Sequence, residues 1–248
     1  MNTNTDGYSM KKLTQYVEQY ICPTNRLYIK EHYITGTDKE SVSKLVDKYG
    51  DDMFAIIEYG YRDIGGCSGI EKKEDIVNKA DFAKLYRNEG KIVAVALYAD
   101  KRHPNAGSDV YLNDRTKNRG RKIVAVAASE GNSEYLKKIL TEDFKRMERN
   151  VWGEFSSKAA TFALRCGALP IPIEAAEAIM DPKKFYDKKE DGYFYTRDIK
   201  GHKHTKIMMG NHLFYNHNVD EKLTEEDIQK FKKLAIKYAA EDEKLNHI

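Results

Sequence analysis

The sequence predicts an α/β (α+β) fold, on three observations. Two short runs dense in β-branched residues, Lys91 to Ala99 (KIVAVALYA) and Lys122 to Ala128 (KIVAVAA), have the composition of central strands and are too short for buried helices. The hydrophobic period then changes, with Tyr135, Leu136, Ile139, Leu140, Phe144 and Met147 recurring at helical spacing. Beyond them, strand-like and helix-like segments alternate to the carboxy end. At 248 residues, 41% apolar and 33% charged, the chain can bury a real core, which excludes wholesale disorder.

Each element has a local reason. Met10, Leu13, Val17 and Tyr20 form one helical stripe, ended at Cys22-Pro23 because proline disfavours a helical residue before it. Thr37-Asp38 caps a second helix carrying Val42, Leu45 and Val46, which Tyr49-Gly50 stops. Met53 to Tyr61 is an apolar, aromatic run of strand length, followed by a tight glycine turn at Gly65 to Gly69. No Gly-Lys-Ser/Thr follows that turn, so it is not a P-loop. Glu74 to Asn88 reads as helical. The helix after Lys122–Ala128 opens at Asn132 or Ser133, with Glu134 in its first turn. Val151 to Phe155 is a third strand, Lys158 to Cys166 a short helix closed by Gly167, and Leu169-Pro-Ile-Pro172 an extended exit. Ile173 to Met180 reads as a helix, Tyr193 to Ile199 as a strand, and His204 to Phe214 as two strands joined at Gly210-Asn211. Thr224 to Leu245 is an amphipathic helix with a Thr224/Asp227 capping box.

Several functional classes are excluded or disfavoured. The longest uncharged apolar stretch, Ile92 to Tyr98, is far short of the roughly 20 residues of a membrane span. Met1 to Met10 is polar and lacks an apolar signal core, so secretion is not expected and a cytoplasmic setting is. Cys22, Cys67 and Cys166 are odd in number and widely spaced, which argues against disulfides and thiolate zinc sites. The formal charge of +3 implies no overall field for nucleic acid or membrane. It hides a basic segment, Arg115 to Lys122, with five cations in eight residues.

The order of strand, helix, strand, helix and Pro-rich exit over Lys122 to Pro172, preceded by the strand Lys91 to Ala99, resembles the core of the GNAT acetyltransferase superfamily. The strings TEDFKRMERNVWGEFSSKAATFALRCGALPIP and DGYFYTRDIKGHKHTKIMMG look like segments of GNAT-like proteins of tailed bacteriophages. The resemblance implies a mixed, mostly antiparallel sheet flanked by helices. It also implies transfer of an acyl group from acetyl-CoA or another acyl-CoA to an amine, in a phage-infected host cell or in the virion. The organisation expected with it is a helical extension at 1–52, a GNAT-like core at 53–182, and strands with an amphipathic helix at 183–248 packing on that core.

A helix amino terminus holds phosphate through unpaired amides and a partial positive charge, so Gly131, Asn132 and Ser133 are candidates for the CoA pyrophosphate, with Arg121 and Lys122 at the preceding strand. The family's loop is richer in glycine. Here a single Gly131 follows Glu130, whose charge opposes a diphosphate. Either Glu130 or Glu154 is a candidate base. Trp152, Glu154 and Ser156 share one strand face, and cover over that face raises a carboxyl's pKa, while an exposed face makes Glu154 an ordinary surface residue. The helix at Lys158 to Cys166 lacks a tyrosine to serve as acid, and Tyr195 or Tyr193 on a later strand offers a phenol or simply packs. Cys166, in an apolar neighbourhood, is expected to be inert, while Cys67, flanked by glycine, is expected to be better exposed and is a weak nucleophile candidate. A hairpin at Gly210-Asn211 sets His204 opposite His217, without the carboxylate or thiol that completes a metal site. Two other classes stay open: a non-catalytic virion component bound to other phage proteins, and a nucleic-acid binder or modifier acting through residues 115–122.

Overall fold

The computed structural model describes residues 27–30, 32–62, 69–101, 120–146, 150–177, 180–185, 187–199, 201–219 and 222–246. The helix expected at Met10 to Tyr20, most of the glycine turn with Cys67, and Arg115 to Arg119 of the basic segment lie outside these residues. Ten strands among the described residues form one sheet, mostly antiparallel and covered by helices, as expected. No described helix is long and apolar enough to cross a membrane.

The first half builds one edge of the sheet. Strands β1 (Leu27–Lys30) and β2 (Tyr33–Gly36) pair antiparallel. Helix α1 (Lys39–Tyr61) follows, capped by Asp38, whose side chain accepts from the Ser41 amide at 2.9 Å while Ser41 Oγ accepts from the Asp38 amide at 3.0 Å. This helix corrects two expectations. It runs through Gly50, and Met53 to Tyr61 is its last part rather than a strand. The buried residues Val42, Leu45, Val46, Met53, Ile56 and Ile57 keep one helical stripe across the glycine, and their burial offsets the roughly 1 kcal/mol propensity cost. The helix thus crosses the boundary expected at 52/53.

Helix α2 (Lys73–Lys79) is short, and the rest of the stretch expected to be helical is strand β3 (Phe82–Asn88). Glu89 (φ 48°) and Gly90 (φ 82°) make the two-residue turn into β4 (Lys91–Lys101), and two consecutive positive φ values are what such a hairpin turn requires. Strand β5 (Gly120–Ala128) lies antiparallel beside β4, so the repeated Lys-Ile-Val-Ala-Val-Ala motif forms a neighbouring pair.

The second half crosses over. Helix α3 (Ser133–Arg146) leads to β6 (Val151–Ser156), which is parallel to β5; α4 (Ser157–Arg165) and β7 (Leu169–Ile171) follow. Helix α5 (Ile173–Glu177), a 3-10 turn (Pro182–Phe185) and β8 (Asp187–Lys188) lead to β9 (Phe194–Ile199) and β10 (His202–Gly210). Strand β10 pairs β6 on one side and β9 on the other. The expected second strand after Gly210 is instead helix α6 (His212–Asn218). Asn211 is its N-cap, accepting from Phe214 N at 2.9 Å, and the same oxygen accepts from Val151 N at 3.2 Å. The hairpin register expected to set His204 opposite His217 is therefore not formed, and His204 pairs in register with Arg197. Among the described residues no cluster suits a metal ion.

Helix α7 (Glu225–Asn246) has the predicted capping box: Asp227 Oδ2 accepts from Thr224 N at 2.8 Å, and Thr224 Oγ1 accepts from Asp227 N at 3.2 Å. It buries Phe231, Ala235 and Tyr238 in the main core, each large side chain contributing roughly 1.5–3 kcal/mol. Two sheet faces result. On one, α3, α4 and α7 cover Ile123, Val151, Phe155, Ile207 and Met209. On the other, α1 covers β3 to β5, and α5, the 3-10 turn and α6 cover Trp152, Tyr195 and Met208.

Across the first face runs a buried polar group outside the expected sites. Lys84 and Tyr98 both bond Asp143 of α3, which is fully buried. Burial pushes the Asp143 carboxyl above its usual range against the opposing effect of Lys84, and burial beside Asp143 raises the Tyr98 phenol well above its own.

Candidate functional site

Strands β5 and β6 are neighbours only at their starts. They pair at Arg121 with Val151 and Lys122 with Trp152, and then part. On β5 the partition coincides with a bulge: Leu97 of β4 pairs with Ala125 and Tyr98 with Ile123, so Val124 is an extra residue. On β6, Gly153 allows the close approach before the strands separate, because a Cβ there lies 2.9 Å from Ile123 Cβ. Farther up, Val126 N donates to the phenolic oxygen of Tyr61 at 3.2 Å, a side chain taking the place of a strand partner.

The gap opens into a cleft of about 940 Å³ that also reaches Lys39, Asn78, Lys79 and Asp81. Its β5 wall includes Lys122, Ile123, Val124 and Val126, with Tyr61 and Gly60 of α1 beside them. Glu154, Phe155 and Ser156 of β6, Ala159 and Phe162 of α4, and Ser133 of α3 line it as well. Lys184, Arg197 and Lys206 come from the 3-10 turn, β9 and β10.

Glu154 is the most closely held acid of this cleft. Tyr195 Oη donates to its Oε2 at 2.7 Å, and Arg197 Nη1 donates to Oε1 at 2.8 Å and Oε2 at 2.9 Å. The Glu154 side chain is 16% exposed. An ionised carboxylate has about four acceptor positions, so these three bonds orient it and leave room for one donor from the cleft. Trp152, Glu154 and Ser156 share one face, as the alternation predicts; helices cover Trp152, while the cleft opens at Glu154 and Ser156.

The other expected residues separate into two groups. Lys122 and Ser133 line the cleft, and the Lys122 ammonium stands 5.6 Å from the Trp152 ring centre. Glu130 and Gly131 are exposed, and they and Asn132 are outside the lining. Gly131 has φ 73°, the left-handed turn that carries β5 into α3. Asn132 is engaged locally, its Nδ2 donating to Ser129 Oγ at 3.0 Å and Glu130 O at 2.9 Å. Arg121 points to the opposite face from Lys122, its guanidinium 3.5 Å from the Phe82 ring centre, and it is absent from the cleft. Alternation along the paired part of the strand puts the two side chains on opposite faces.

Tyr195 is fully buried and reaches the site through Glu154. Burial, then the Glu154 charge, pushes its phenol far above the ordinary range, so it holds its proton and acts as a hydrogen-bond donor. Cys166 is buried and burial raises its thiol, as befits an inert cysteine. The sequence reading missed Arg197, Lys206, Lys184, Tyr61 and the Val124 bulge. Alternation of Tyr195 with Arg197 was the one available signal, since it places both on one face.

No protein-family model matches the chain, and no curated protein matches it. Among solved structures, a GNAT-family acetyltransferase from Bacillus anthracis is 10% identical over 74% of this chain and 96% of that one, with a TM-score of 0.39. An acyl-CoA N-acyltransferase from Pseudomonas aeruginosa is 9% identical over 72% and 97%, with a TM-score of 0.40. An acetyltransferase from Bacillus subtilis in complex with CoA is 8% identical over 65% and 91%, with a TM-score of 0.37. At these scores the likeness establishes neither family membership nor activity.

Proposed function

We propose that this chain is an acyl-CoA-dependent N-acyltransferase. The observation that carries the proposal is the parting of parallel β5 and β6 beyond Lys122 and Trp152, with Glu154 held inside the opening. A gap between strands exposes backbone edges that an extended, amide-bearing chain such as the pantetheine arm can pair with. The side chains of Ala159 and Phe162 offer apolar contact for that arm. Ser133, at the amino end of α3, and Lys158, in the first turn of α4, suit the diphosphate by dipole and charge. The bulge at Val124 leaves a strand residue without a partner on β4, suited to polarising the thioester carbonyl.

In the reaction, the amine nitrogen attacks the thioester carbonyl carbon, the carbon–sulfur bond breaks, and CoA leaves with the sulfur electron pair. Glu154 accepts the proton that the amine loses, while Arg197 and Tyr195 keep its carboxylate aimed at the cleft. The two strings resembling phage-encoded proteins add the proposed setting, a tailed bacteriophage in its host's cytoplasm. Calorimetric titration with acetyl-CoA tests the proposal, with saturable binding expected at or below millimolar concentration. No heat of binding at that concentration overturns it in favour of a non-catalytic relative of the fold.

A further inference from the structure

Strand β5 turns the amide of Val126 into the gap. The Ser129 amide donates to Val93 O at 3.0 Å, and hydrogen-bonded pairs alternate along an antiparallel ladder. Ala127 and Ala125, in register with Val95 and Leu97, therefore bond β4, while Val126 between them directs its N–H away from β4. It faces the side from which β6 has parted.

With β6 gone, that amide donates to the phenolic oxygen of Tyr61 at 3.2 Å. Tyr61 is the last residue of α1 and lines the cleft beside Gly60. Gly60 lets the last turn of the helix lie against β5, because a Cβ there would stand 2.7 Å from Ala127 Cβ. The phenol thus reaches the strand edge and takes the place of a strand partner. It satisfies an amide that would otherwise be an open template for any extended chain.

An arm that pairs with β5 meets this phenol. In the acyltransferase reading the thioester carbonyl lies at Val124 and the diphosphate at Ser133, which follows the end of β5, so the arm between them passes Val126. A sulfur, two methylenes and a nitrogen separate the thioester carbonyl from the arm's first amide carbonyl. That span is close to a two-residue step along a strand, roughly 6.6 Å, and brings the amide carbonyl to the Val126 N–H. Both acceptors need the same short, aligned approach to one hydrogen, so the arm and the phenol exclude each other there. We propose that Tyr61 is an internal competitor for the pantetheine arm: it caps Val126 in the unliganded protein, is displaced by the arm's carbonyl, and sets how tightly the cleft holds CoA. The proposal rests on the acyltransferase reading, whose cofactor supplies that arm.

Calorimetric titration of CoA and of adenosine 3′,5′-bisphosphate, a nucleotide without the arm, into wild type and Tyr61→Phe is the test. The variant is expected to bind CoA about three- to tenfold more tightly, because no internal hydrogen bond has to be given up, with bisphosphate affinity unchanged. Amide exchange at Val126 is expected to be faster in the unliganded variant than in unliganded wild type, and equally slow in both with CoA bound. Tyr61→Leu also lacks the hydroxyl and is expected to shift CoA affinity the same way, so it decides the matter if the phenylalanine variant is disturbed. Weaker CoA binding by the variants overturns the proposal, as does an equal gain for the bisphosphate. CoA binding that is the same in wild type and both variants removes Tyr61 as a competitor and leaves the acyltransferase reading standing. If CoA binds neither wild type nor variants, both readings fall together.

Discussion

The hydroxyl of Tyr195 on β9 donates to Glu154 on β6 at 2.7 Å, across the intervening strand β10. Arg197 reaches the same carboxylate from two residues along β9. Two strands away in the sheet and some forty residues away in the chain, these side chains determine where Glu154 points. The position of the proposed base is thus a property of register among three strands.

Glu154→Gln is expected to lower kcat/KM for acyl transfer by about 10²–10⁴ with CoA affinity unchanged, since the amide cannot take the proton. Tyr195→Phe removes a positioning bond and is expected to cost about tenfold, mainly in kcat. Steady-state kinetics alongside CoA titration checks both. A Glu154→Gln enzyme with wild-type turnover removes the residue from the mechanism.

The group formed by Lys84, Tyr98 and Asp143 ties α3 to β3 and β4 with little access to water. Lys84→Met strands a buried carboxyl and is expected to destabilise the fold by about 3–5 kcal/mol. Lys84→Met with Asp143→Leu removes both charges and is expected to recover most of that loss. Urea denaturation of the three proteins measures the difference, and a double variant no more stable than the single one contradicts the assignment.

Asn211 serves two elements with one side chain, capping α6 at Phe214 N and bonding Val151 N at the start of β6. Asn211→Ala is expected to cost about 2–3 kcal/mol, combining a lost cap with an unpaired buried strand amide. Amide exchange at Val151 and Phe214 should accelerate together. Acceleration at Phe214 alone would show that the strand bond contributes nothing.

His204 is 5% exposed, and its Nε2 has no hydrogen-bond partner among the described residues. Burial, then the neighbouring Lys206 charge, lowers its pKa below the ordinary value. With the folded value depressed, its contribution to stability is present above the unfolded pKa of about 6.5 and is lost as the pH falls through the folded value. His204→Asn, which does not titrate, should therefore show a shallower decline in denaturation midpoint from pH 7.5 to 5. Parallel declines for variant and wild type would exclude His204 as the cause.

Much of the fold was legible locally. The strand runs at 91–99 and 122–128, α3, α4 and the capped α7 each carry a hydrophobic period, and most carry an end signal in adjacent residues. The failures share a cause. Met53 to Tyr61 has a strand's composition, but buried contacts continue the helical stripe of α1 through Gly50. Phe82 to Asn88 was obscured because the two-residue turn at Glu89-Gly90 lacks the usual asparagine or aspartate. Asn211 suits a turn and a helix cap equally, and the distant Val151 amide selects the cap.

By itself, then, the sequence determined the α/β alternation, the basic character near Lys122, and Glu154 on a face with Trp152 and Ser156. Short-range periodicity and capping suffice for these, because neighbouring residues carry both. Only the tertiary structure decided that β5 and β6 part above Lys122, that Arg121 turns away while Lys122 lines the opening, and that Arg197, Lys184 and Lys206 join Glu154 there. Pairing register couples residues far apart in the chain, and a shift of one residue reverses the face every side chain occupies.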